Sequence, residues 1–195
     1  MNHVPFDPSK AVTFDLARGL VQQEGAPSGL IVPAESLAAL ARAAGPEASR
    51  AFGRGVGEAI GRRVAGHLAE ADGVRAAGAA AVIEHLGGEL AMTGFGSLSL
   101  ERWGRALVLV IDQSPLGAGG DALLETVLAA ALEAAMGEPA AVIALGRDGV
   151  RVRLLVTGAT GAEKVRAWLN EGISWGDALV RLHDPGVANP SRGDA

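Results

Sequence analysis

Gly172-Ile173-Ser174-Trp175-Gly176 has the Gly-x-Ser-x-Gly spacing of a nucleophile elbow, and Asp177 and His183 follow it. In a hydrolase that spacing places the serine on a sharp turn from a strand into a helix. Here the residues ahead of Ser174, about 162–170, read as a helix, and Asp177 comes only one helical turn later. Ser174 therefore reads as the cap of a last helix, with Asp177 completing a capping box. No nucleophile, acid or base constellation survives elsewhere, so no catalytic residue is assigned.

Three other groups of residues raise chemical possibilities. Gly53-Arg54-Gly55-Val56-Gly57 resembles a dinucleotide fingerprint but has no preceding strand, and its third glycine is misplaced. Leu116-Gly117-Ala118-Gly119-Gly120-Asp121 opens a helix, where bare N–H groups hold anions. It carries no lysine, and Asp121 reads as the N-cap. Of His3, His67, His85 and His183, only His67 and His85 fall on long predicted helices, and His85 stands four residues before Glu89. No further ligand completes a metal site, so neither metal nor cofactor is expected. Arg147, Arg151 and Arg153 crowd one hairpin and form a candidate partner surface, with Arg151 and Arg153 on one strand face. Trp103, Trp168 and Trp175 suit either core packing or an interface.

Composition narrows the class. The chain has 195 residues, 49% hydrophobic and 20% charged, long enough for one domain with a real core. With no cysteine there are no disulfides, thiolate metal sites or cysteine nucleophiles. A net charge of −5 argues against general nucleic-acid binding. No apolar run approaches the roughly 18 residues of a membrane span. Met1 to Asp7 lacks a basic stretch followed by an apolar one, so a cytoplasmic protein is expected.

The elements that must position these residues follow from periodicity. Residues 1–33, with prolines at 5, 8, 27 and 33, read as a partly flexible arm with a short element at Val12–Val21. Residues 34–183 read as one domain, and 184–195 as a flexible, turn-rich tail. Helices are predicted over Glu35–Ala44, from Pro46 to Ala71 with Gly73 ending it, and over Val74–Met92. Two hairpins follow, Gly96–Ile111 and Ala141–Val156, with the helix Asp121–Met136 between them and two short helices after. This is an α+β fold, with helices packed on one side of a small antiparallel sheet made of two hairpins and a crossing helix. Gly53, Gly57, Gly61 and Ala65 recur every four residues and make one smooth stripe along a helix. Each glycine costs about 1 kcal/mol of helix propensity, which close packing against a neighbour would offset.

The order resembles a known group. A glycine-bearing helix (Phe52 to Gly61), a second helix, the hairpin Gly96–Ile111, the helix Gly120–Gly137 and the hairpin Val142–Val156 look like the domain shared by 4-vinyl reductase-like proteins, bacterial hydrocarbon sensors and TRAPP vesicle-tethering subunits. The resemblance covers about residues 47–157. It implies a dimer holding an apolar ligand between helices and sheet. Many members bind metal through cysteines near the last hairpin; their absence here leaves metal-linked sensing or reductase activity without its ligands. A second resemblance is to the D-type accessory protein of bacterial cellulose synthase, through Glu89-Leu90-Ala91-Met92-Thr93-Gly94-Phe95-Gly96 and the Ser114-Pro115 turn leading into the helix Ala122–Met136. It implies a non-enzymatic, ring-forming structural assembly accessory.

The expectation is a non-catalytic homodimer that binds a hydrophobic small molecule or scaffolds a protein partner. The pocket candidates are Phe52, Val56, Ile60, Leu86, Phe95 and Leu128.

Overall fold

The computed structural model describes residues 5–23, 28–71 and 74–183. Gly73 and the tail from Asp184 lie outside these residues, as do His3 and the stretch 24–27.

The N-terminal segment has more structure than its prolines promised. Helix α1 (Pro8–Ala11) is capped by Asp7, whose carboxylate accepts from the Ser9 N–H at 3.0 Å. Strands β1 (Val12–Asp15), β2 (Leu20–Gln23) and β3 (Ser28–Gly29) form an antiparallel meander. The one element expected at Val12–Val21 is thus two strands. Phe6 anchors this segment, its ring seated against Gly88 at a point where a methyl group would collide with it.

Helix α2 (Ala34–Ala71) contains both predicted helices in one run, bent at Gly45, with φ 85° and ψ 171°. Only glycine adopts that conformation cheaply, and Pro46 then starts the second helix with its φ preset. Ser49 donates to the Ala41 carbonyl across the bend at 2.8 Å. Helix α3 (Val74–Met92) bends likewise at Gly78, φ 77°.

Strands β4 (Ser97–Trp103) and β5 (Ala106–Asp112) form the first hairpin. Helix α4 (Asp121–Met136) crosses the sheet, and β6 (Ala141–Asp148) and β7 (Arg151–Thr157) form the second hairpin. The sheet order β4-β5-β7-β6 is antiparallel throughout, leaving β4 and β6 at the edges. Asp121 is not the N-cap of α4. Gly120 holds that position without a side-chain bond, and the Asp121 carboxylate is drawn instead to Arg147, at 3.0 Å from Nε. A cation one hairpin away outcompetes the local cap.

The α+β class, the two hairpins and the crossing helix are all present. Strand alternation sends Leu109, Ile111, Val152 and Leu154 into a core with α2, α3 and α4. Val108, Val110, Ile143 and Leu155 point the other way, into a second cluster with Val165, Ala178 and Leu179. Those last three belong to α5 (Ala159–Asn170) and α6 (Trp175–His183), which cover the second face of the sheet. The one-sided layering expected from sequence therefore describes α2–α4, and the short C-terminal helices add a third layer. β5 is apolar on both faces for this reason, while β7 carries Arg151 and Arg153 on the same face as Leu155.

The glycine stripe has a direct structural consequence. A methyl group at Gly57 would run into the Val127 carbonyl oxygen, and one at Gly61 into that of Ala131. At Gly53 it would lie 2.9 Å from Leu123 Cδ1. The α4 backbone rides in the trough these glycines leave, closer than any side chain permits.

Candidate functional site

The six pocket candidates from sequence sit mostly in or against the main core. Ile60, Leu86, Phe95 and Leu128 are buried in the main core, and Val56 packs half-buried against it. Phe52 turns outward and is 45% exposed.

An open groove lies elsewhere, beside the bend in α2. Its volume is about 700 Å³, within the range of small-molecule sites, and none of the six candidates lines it. One wall comes from both halves of α2, another from the first turns of α4, and the rest from the start of the edge strand β6 and from α5. The walls are mainly small and apolar, with Ala38, Leu123, Ala129 and Val142 among them. The bend at Gly45 opens this space, because a straight α2 would carry its first half in another direction.

The polar side chains of the groove are mostly engaged. Ser49 donates to Ala41 O, and Thr126 Oγ1 donates to Ala122 O at 2.9 Å. Glu125 accepts from the Ala144 N–H at 2.8 Å, covering an open position on edge strand β6, and from Arg166 at 3.0 Å. Arg42, Arg50 and Arg54 also line the groove and take part in no ion pair among the described residues. Sequence reading missed them; the signal available was Arg50 and Arg54 one helical turn apart, with Arg42 on the same helix.

The other singled-out residues make contacts within the chain. Arg147 pairs with Asp121, Arg151 with Asp112 and Arg153 with Glu101, so the candidate partner surface consists of internally paired arginines. Trp103 donates to Glu101 at 2.9 Å and meets Trp175 edge-on, centroids 4.8 Å apart, with the Arg153 guanidinium 5.8 Å from the Trp175 ring. The Trp103 hydrogen bond and Arg153 hold the Glu101 carboxyl below its ordinary value against a smaller opposing effect of burial. Ser174 accepts the Asp177 N–H at 3.2 Å and donates to the Asp177 carboxylate at 2.7 Å, which is a helix cap. Glu89 is held by Arg63, while His85 is stacked on His67 with centroids 5.8 Å apart and meets the edge of Phe6. Among the described residues no group of three metal-ligating side chains forms. Nor is any described helix long and apolar enough to cross a membrane.

The fold has a counterpart among solved structures. The crystal structure of the phenol-responsive sensory domain of the transcription activator PoxR, with phenol, superposes with a TM-score of 0.57 at 15% identity, covering 90% of this chain and 92% of that chain. No family model matches the sequence, and no curated protein matches it. The comparisons thus show a shared α+β fold and do not place the chain in the vinyl reductase-like, TRAPP-type or cellulose synthase families.

Proposed function

We propose that this chain is a non-catalytic, homodimeric domain that binds a small molecule with a substantial apolar surface. The groove beside Gly45 carries the reading: it has the volume and the apolar walls of a ligand site. The shared fold with a sensory domain solved with phenol supports it. Binding without catalysis fits the use of Ser174 as a cap. A second copy fits the N-terminal meander and the residues after it, where Leu16, Leu30 and Ile31 are 90%, 89% and 76% exposed. Isolated exposed apolar side chains are ordinary, but a run of this kind marks a contact surface.

Native mass spectrometry of the freshly purified protein tests this. The expected result is a dimer carrying an extra small mass that leaves on unfolding, and a clean monomer that gains no thermal stability from apolar small molecules overturns it. A large closed ring without added mass would favour an assembly accessory acting through its surface.

A further inference from the structure

We infer that the groove beside Gly45 is built for an organic anion: a carboxylate or sulfonate head on Arg42, Arg50 and Arg54, with an apolar body along the α4 wall. This rests on the reading of the groove as a small-molecule site.

Charge comes first. The groove is lined by four arginines and two glutamates, in a chain whose net charge is −5. Its positive character is therefore local and runs against that of the whole protein. Glu125 and Arg166 satisfy each other, which leaves Arg42, Arg50 and Arg54 facing a single carboxylate, Glu163, with no ion pair to it. Arg50 and Arg54 stand one turn apart on the same helix, a like-charge arrangement that weakens a helix unless an anion offsets it. Arg42 comes to the same space from the far side of the bend, its guanidinium over the Gly119 backbone, with Nη1 3.7 Å from where a Gly119 methyl would lie. Arginines lining one space from both halves of α2 suit the planar, two-oxygen head of a carboxylate.

The remaining walls decide the body. Ser49 and Thr126 spend their hydroxyl protons on backbone carbonyls, so neither is left to donate to a sugar or a neutral polar ligand. Alanine, leucine and valine make up most of what is left. An apolar tail with one anionic head matches this lining; a polyhydroxylated or cationic molecule does not.

A matched pair of fluorescent probes tests the inference: anilinonaphthalene sulfonate, an amphipathic anion, and N-phenylnaphthylamine, which has the same rings without the charge. Titrations are made on the wild-type chain, on Arg50→Gln/Arg54→Gln, on Arg50→Lys/Arg54→Lys, and on Arg102→Gln/Arg105→Gln. The last removes the same charge from the exposed β4–β5 turn. One charge-assisted hydrogen bond separates the two probes by about tenfold in Kd. The wild type and the turn variant should prefer the sulfonate by at least that factor. The groove glutamine variant should lose the preference while keeping its circular dichroism, and the lysine variant should retain part of it. Equal affinities, or a preference that survives in the groove glutamine variant, overturns the anion inference and leaves the small-molecule reading standing. Neither probe binding the wild type removes both.

Discussion

Arg63 and Glu89 meet at 2.6 Å between α2 and α3, with side chains 11% and 1% exposed. Arg63 also donates from Nε at 2.8 Å, so one carboxylate oxygen receives both bonds. Removing one partner strands a buried charge, which costs about 3–5 kcal/mol. Glu89→Ala should therefore lower the free energy of urea unfolding by that order. Arg63→Met/Glu89→Leu should recover most of the loss, because the pair's desolvation disappears with it. A small effect of Glu89→Ala would show that Arg63 finds water or another partner.

Four glycines of α2 past the bend fall into two kinds. Gly57→Ala and Gly61→Ala push a methyl into the backbone of α4 and should each cost about 3 kcal/mol. Gly55 and Gly66 have open space where the methyl would go. Gly55→Ala and Gly66→Ala should stabilise by about 0.5–1 kcal/mol through helix propensity alone. Thermal melts of the four variants check this, and like signs throughout would refute the trough.

Acid should weaken the outer face of the sheet. Trp103 and Arg153 hold Glu101 below its ordinary 4.5, and Arg151 likewise lowers Asp112. A carboxyl with a lowered folded value stabilises the fold at pH above its unfolded value, and that contribution disappears as pH falls through the folded value. Glu101→Gln should therefore be less stable than wild type at neutral pH. The gap should close from about pH 4 downward. Denaturant midpoints at several pH values read this directly, and a gap that persists in acid would place the effect in packing.

Ser174→Ala removes a cap and should cost about 1 kcal/mol. The loss appears as earlier fraying of α6 in hydrogen exchange. Ligand binding should be unchanged, and loss of a measurable hydrolase activity in this variant would contradict the cap.

The main elements are legible in the sequence because their signals are local. Every-fourth-residue spacing from Phe52 to Leu68 marks α2, and the paired alternating runs mark both hairpins. The glycine stripe is visible as spacing, though its partner is not, since nothing local names the α4 backbone. The third layer is hidden because the apolar faces of α5 and α6 are short and their target is a distant strand face. Asp121 reads as a cap because local chemistry is all the sequence offers there, whereas Arg147 reaches it from 26 residues away. The groove escapes notice for a similar reason. It depends on a single backbone bend, and its arginines have no visible common destination until Gly45 turns the chain.

That bend also separates two regimes of tolerance along one helix. Past Pro46, the stripe admits no added atom where it meets α4. Ahead of Gly45, most side chains face solvent, and Leu40 is 66% exposed. The exposed positions of that outer wall can therefore be rewritten while the architecture stays fixed, with Ala38, buried in the core, as the exception, so that retuning what the groove accepts is mainly a problem of surface chemistry.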